Sequence, residues 1–229
     1  MQRDLVVIAV IPAFDAVRNI ADVVRAAKAH VSTCIVVNDG STDGTGACAR
    51  AAGAEVIDHP HNMGKGAGLR TAIEHLRCGR CDYVILLDAD GQHDPKDIPR
   101  FVAYACTQHA DMVCGTRMNN PEGMPWLRRL TNRTMSGFLS WLCRVKLTDT
   151  QCGYRLLSAR AISAIELRKN NFEVESEMLI QAVVHGLIIG EVPINTIYGD
   201  DHASHIKPLL DTARFISLVW HLSLRRFMT

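Results

Sequence analysis

Through the first half of the chain, short apolar runs rich in valine and isoleucine alternate with segments of helical periodicity. Residues 5–11, 34–37, 83–87 and 112–114 are apolar at successive positions, and 54–57 at all but Glu55, which predicts strands covered on both faces. Between them, residues 19–30, 46–52, 66–77 and 95–108 space their apolar positions as helices do. Asp94 followed by Pro95 supplies an N-cap and a first-turn proline. The alternation predicts an α/β fold with a mostly parallel central sheet flanked by helices. Ligands of such sheets sit at the carboxyl ends of the strands, and the polar segments of this chain fall there.

The second half is less regular. Residues 128–145 are expected to form an amphipathic helix, 154–157 a strand, 159–167 and 175–185 helices, and 187–192 a further strand. Residues 199–204 are polar, and 208–227 have the pattern of a C-terminal helix. No internal repeat or linker divides the 229 residues, so a single domain is expected. Within it, 1–115 form the regular half, 116–205 the less regular half and 206–229 an amphipathic end.

Composition adds limits. A net charge of +1 supplies no global attraction to nucleic acid, so any cationic site must be local. Eight scattered cysteines in a chain this long point to a reducing, cytoplasmic setting rather than a disulfide framework. Cys78 and Cys81 form a lone CxxC without the partners of a zinc or redox site. No secretory leader or membrane-spanning run is evident, although 208–229, with Trp220, Arg225 and Arg226, leaves peripheral membrane contact open.

The chemistry-bearing segments follow the strands. Asp39 and Gly40 end the second strand in a turn suited to a base or ribose. Asn62-Met63-Gly64-Lys65-Gly66 opens a helix, where glycines bring N–H groups close to an anion and Lys65 adds charge; the spacing is not that of a Walker A loop. Asp88-Ala89-Asp90 ends the fourth strand, with Gln92 and His93 behind it. Two carboxylates so close repel each other unless a cation separates them, and a hard divalent ion with diphosphate oxygens fits. From Arg117 to Lys146 there are five arginines and one lysine against Glu122 alone. Arg129 and Arg133 share a helix face, and arginine forks suit phosphate. No aromatic series accompanies these charges, which argues against nucleic acid.

Taken in order, these segments resemble the family 2 glycosyltransferases of GT-A (Rossmann-like) fold, and within them the dolichyl- and polyprenyl-phosphate sugar synthases. The resemblance runs from about Val7 to about Phe215. It also draws on Ile11-Pro12-Ala13-Phe14, Gly115-Thr116-Arg117, the Asp149-to-Arg155 segment and the stretch from Ser204 to Lys207. It implies that Pro12, Ala13, Asp15, Asp39, Gly40, Lys65, Asp88 and Ala89 bind a nucleotide-sugar. Asp90, Gln92 and Asp88 would hold Mg²⁺ or Mn²⁺, and Arg117, Arg129, Arg133, Ser136 and Ser204 an acceptor phosphate. Where the family reads Asn-Glu, this chain has Asp15-Ala16, and its late Ser-Lys is Ser204-His205.

The implied reaction is inverting transfer of a sugar from a GDP- or UDP-sugar to a polyprenyl phosphate, with Asp90, Arg117, Arg133 and Asp149 as the catalytic set. A phosphate nucleophile needs no base; a hydroxyl acceptor would, and Asp149 is then the candidate. A nucleotidyltransferase lacks its glycine- and arginine-rich loop here, and intact Asp88, Asp90 and Gln92 oppose a silent partner subunit. Homo-oligomerisation is compatible with everything above.

Overall fold

The computed structural model describes residues 5–77, 79, 81–118, 126–171, 173–195 and 197, with the backbone alone at 127 and 128. Seven strands form one sheet in the order β3-β2-β1-β4-β6-β5-β7. They are β1 (Val7–Ala13), β2 (Thr33–Asn38), β3 (Glu55–Asp58), β4 (Tyr83–Leu86), β5 (Met112–Thr116), β6 (Arg155–Ser158) and β7 (Ile189–Pro193). The helices are α1 (Ile20–Lys28), α2 (Thr45–Ala51), α3 (Lys65–Arg77), α4 (Ile98–Gln108), α5 (Trp126–Cys143), α6 (Ala159–Ala164) and α7 (Val174–Val184). Each strand and helix expected within residues 5–195 is present, and the expected helix at 208–227 lies outside the described residues.

Each face of the sheet carries its own core. Val10, Ile35 and Leu86 pack with Leu69 of α3, Leu139 of α5, Ile162 of α6 and Met178 of α7. On the opposite face Ala9, Ile11 and Ile85 pack with Ile20 and Val24 of α1, Ala49 of α2 and Phe101 of α4. Burial on both faces explains why the central strands read as continuous apolar runs. β3 departs from that expectation: it is an edge strand with Glu55 and Asp58 exposed and Val56 and Ile57 only partly covered. Its two apolar residues are too few to distinguish an edge from a centre.

Three local features position the site. Pro12 lies beyond Val10, the last residue of β1 paired with β4, so its missing N–H breaks no rung on that side. β6 runs antiparallel to both β4 and β5, with Arg155 opposite Leu86 and Cys114. The segment that enters β6 therefore meets the carboxyl ends of β4 and β5 at one rim. The expected helix at 95–108 begins as a 3-10 turn, Pro95–Asp97, capped by the Asp94 side chain on the Lys96 N–H. The expected helix at 159–167 stops at Ala164, because the Glu166 N–H turns to the Gln181 side-chain oxygen instead of continuing the helical ladder.

Phe101 is fully buried against Tyr154, with ring centroids 4.6 Å apart. Phe101→Ala should lower the free energy of urea unfolding by about 3–5 kcal/mol. Val184→Ala, at a residue 75% exposed, should change it by less than about 0.5 kcal/mol.

Candidate active site

The rim is built from the residue that opens α3 outward. Lys65 Nζ lies 2.5 Å from Asp88 Oδ1 and 2.8 Å from Glu175 Oε1, joining the start of α3, the end of β4 and the first turn of α7. Burial on its own would lower the lysine's pKa; the two carboxylates outweigh it and raise it. The same pairing acts on Asp88: burial pushes upward, Lys65, His93 and Arg117 push downward, and the carboxyl stands at about 2. The cation beside Asp88 is thus the protein's own ammonium, shared with Glu175.

Space for this contact is kept by Gly153. A β-carbon there would lie 2.8 Å from both Lys65 Nζ and Asp88 Oδ2. The turn carrying Gly153 is held by Arg155, which is 1% exposed and donates to the carbonyls of Thr150, Cys152 and Glu175. His93 completes the wall, stacked on Tyr154 at 4.9 Å. Its Nδ1 accepts from the Asp88 N–H, which leaves the proton on Nε2, 3.8 Å from Asp88 Oδ2. Burial lowers the imidazole's pKa despite Asp88 and Asp90, so the ring is neutral near pH 7.

Asp90 keeps a partly exposed carboxylate, one oxygen of which accepts from the Gln92 N–H at 2.9 Å. Ala89 is buried in the turn between the two acids, and Asn19 donates to the Asp90 carbonyl. Among the described residues, no group of three or more His, Cys, Asp or Glu side chains is arranged to hold a metal.

Several candidate residues turn out to be committed within the protein. Asp39 is 3% exposed and accepts from the N–H groups of Met63 and Gly64 and from His59. It orders the loop before α3, and Gly40 lets that loop come close, since a β-carbon would lie 2.4 Å from the His61 backbone. The Gly66 N–H donates to the Asn170 carbonyl. The expected anion cradle of loop N–H groups is therefore occupied at 63, 64 and 66. Asp15, exposed and at φ 46°, exchanges hydrogen bonds with Ser41 and Thr42 across the rim. Pro12 and Ala13 lie on β1 beside them.

Beyond β5, Arg117 and Asp149 form one unit. The guanidinium holds Asp149 through Nε at 2.7 Å and Nη2 at 2.9 Å, and Asn132 adds a third bond at 2.8 Å. Ser136, 2% exposed, bonds Asn132 and Thr150, so its hydroxyl braces this network. Arg129 and Arg133 are exposed on α5. Ser204, with Lys207, lies outside the described residues. Burial would raise the Asp149 carboxyl's pKa; Arg117 and Asn132 outweigh it and hold the group below the usual range.

The profile of glycosyl transferase family 2 matches residues 8–164. The chain belongs to that family. It is a glycosyltransferase. An uncharacterised protein of Methanocaldococcus jannaschii is 35% identical over 195 residues, covering 82% of this chain and 80% of that protein. A UDP-N-acetylglucosamine–dolichyl-phosphate N-acetylglucosaminyltransferase of Methanococcus voltae is 31% identical over 218 residues, 85% of this chain and 87% of its own. Glucosyl-3-phosphoglycerate synthase of Mycobacterium tuberculosis, solved with Mn²⁺, UDP and phosphoglyceric acid, superposes with a TM-score of 0.70 at 20% identity, over 91% of this chain and 74% of that one. The fold of this glycosyltransferase is thus GT-A.

Glu175, Gly153 and His93 take part in the site without having been assigned a role from sequence. The glycine and histidine sit inside recognised segments, so their positions were in view. Glu175 opens an apolar helix with nothing local to mark it, and only the fold brings it to Lys65.

Asp149 gives a pH test. Its folded pKa is depressed, so the stability it contributes is present above the unfolded carboxyl value near 4 and is lost as pH falls below that. Asp149→Asn removes the carboxylate that the Arg117 guanidinium grips and should cost about 3–5 kcal/mol at pH 7. In urea unfolding, the gap between wild type and variant should narrow between pH 7 and pH 3; an unchanged gap would contradict the pairing.

Proposed function

We propose that this glycosyltransferase transfers a sugar, with inversion, from a nucleotide diphospho-sugar to a polyprenyl phosphate. The observation that carries the reading is the state of Asp149. It is fully buried, with its oxygens engaged by Arg117 and Asn132. An acid held ionised and enclosed in this way is a poor proton acceptor for an attacking hydroxyl. A phosphate nucleophile arrives already charged and asks instead for cations that position it. The exposed Arg133, one residue beyond Asn132 on α5, is suited to that task, with the Arg117–Asp149 pair setting the position of the helix beneath it. The dolichyl-phosphate substrate in the name of the Methanococcus relative supports the same reading.

The donor is assigned to the rim between Pro12, Ala13 and Asp15 on one side and Asp88 on the other. Asp90, with Asp88 and Gln92, fits a divalent ion that takes most of its ligands from water and diphosphate, as Mg²⁺ and Mn²⁺ do where one or two carboxylates face a phosphate substrate. The Mn²⁺ and UDP in the mycobacterial structure support a metal–nucleotide pair in this fold. Such an ion, when bound, would offset charge developing on the leaving diphosphate. Lys65 lies against Asp88 and adds a second positive charge to that end of the rim.

With Mn²⁺ present, one nucleotide from a panel of UDP-, GDP- and other diphospho-sugars should raise the melting temperature, and Asp90→Ala should abolish the rise. No response to any nucleotide, together with an unaltered Asp90→Ala profile, would overturn the donor assignment. With that donor and undecaprenyl or dolichyl phosphate, labelled sugar should become extractable into organic solvent. Arg133→Ala should raise the acceptor KM roughly tenfold or more while donor binding is unchanged, the loss expected for one charge-assisted contact. A water-soluble product alone would favour a hydroxyl acceptor.

A further inference from the structure

α5 is built inside out. The side chains it turns inward are mainly polar or small: Asn132 and Ser136 are buried in the network around Asp149, beside Leu139 and Cys143. On the opposite side, Trp126, Leu130, Phe138 and Trp141 fall within about 120° of helical arc. These four are exposed to 76%, 55%, 39% and 74%. Gly137 and Thr134, also exposed, lie between them and leave the aromatic rings standing proud of the helix. A surface helix of a soluble domain normally presents the reverse pattern. Two tryptophans three-quarters exposed on one stripe form a patch that asks for an apolar partner.

Charge identifies the partner. Between Trp126 and Thr148 the chain carries Arg128, Arg129, Arg133, Arg144 and Lys146 and no acid. Arg129 and Arg133 sit along one shoulder of the aromatic stripe, and Arg144 and Lys146 follow the helix; all four are exposed. Trp, Phe and Leu on one side with arginines at the edge is the pattern of a helix lying in the plane of a bilayer, rings at headgroup level and guanidinium groups on lipid phosphates. A protein partner with an equally acidic, apolar surface is a narrower requirement. No described helix is long and apolar enough to cross a membrane, so the contact is one of lying on the surface.

We propose that the outer face of α5 docks this protein on an anionic lipid bilayer. The proposal goes beyond the acceptor assignment and does not depend on it, because it can be tested with vesicles that contain no polyprenyl phosphate, donor or metal. The full chain should sediment with phosphatidylglycerol-containing vesicles and much less with phosphatidylcholine alone. Trp126→Ser with Trp141→Ser should lower the partition coefficient at least roughly tenfold, and Arg144→Gln with Lys146→Gln should lower it on anionic vesicles in a salt-sensitive way. All four substituted side chains are exposed, and Trp141 gives up only a tilted ring contact with Phe138, so circular dichroism should be unchanged.

The chain has three tryptophans, and Trp220→Phe leaves only the two on the stripe. In that variant, iodide should quench emission in buffer, and anionic vesicles should shift the emission to the blue and protect it. Sedimentation unaffected by the double tryptophan substitution would overturn the proposal. So would tryptophans already shielded in buffer, because another part of this chain or a second copy would then occupy the stripe. Absence of any vesicle binding by the wild type would do the same.

Discussion

A single ammonium group ties the site together. Lys65 bridges Asp88 and Glu175, and through them the helix α3, the carboxyl end of β4 and the start of α7. Each of those carboxylates would be costly to bury alone, and the lysine would be equally costly without them. Neighbouring features serve this arrangement. Gly153 leaves room for it, Arg155 fixes the turn that holds Gly153, and Glu177 and Asn170 fold the preceding loop against the first turn of α3. Positions 65, 88 and 175, far apart in the chain, are thereby tied together at one rim.

A second cluster of the same kind stands beside it. Arg117, Asp149, Asn132, Ser136 and Thr150 are buried, and their hydrogen bonds close mainly on each other. The first cluster ties α3, β4 and α7 together, and the second holds α5 to the segment that enters β6. Arg133, whose backbone follows that helix, inherits its position from bonds it does not itself make.

Much of the fold could be read from the chain because parallel strands buried on both faces leave an unmistakable apolar signature, as in Cys34 to Val37. β3 could not be placed, since Val56 and Ile57 look alike at an edge and in a core. The antiparallel direction of β6 was equally hidden, for Leu156 and Leu157 carry no sign of which way their strand runs. In the site, the sequence identified acids and cations at strand ends but not their partners. Lys65 was visible as a positive charge before a helix; that it faces Asp88 and Glu175 follows only from the fold. Arg117 and Asp149 were visible as separate agents, and folding made them a pair. Ser136 and Asp39 were visible as candidate ligand contacts; that they also brace α5 and the loop before α3 follows only from the fold.

The placement of β6 also bears on how the chain acquires its structure. β4 and β5, consecutive in sequence, do not pair with each other; β6 stands between them. While the protein is being synthesised, β4 must wait with one edge unpaired until the chain has continued through β5 and α5 and returned. An apolar strand left open for that interval is a template for other chains. Synthesis and assembly therefore share a vulnerable period. For β4 it ends when Leu156 and Leu157 pair with it, in the same step that brings Gly153 to Lys65.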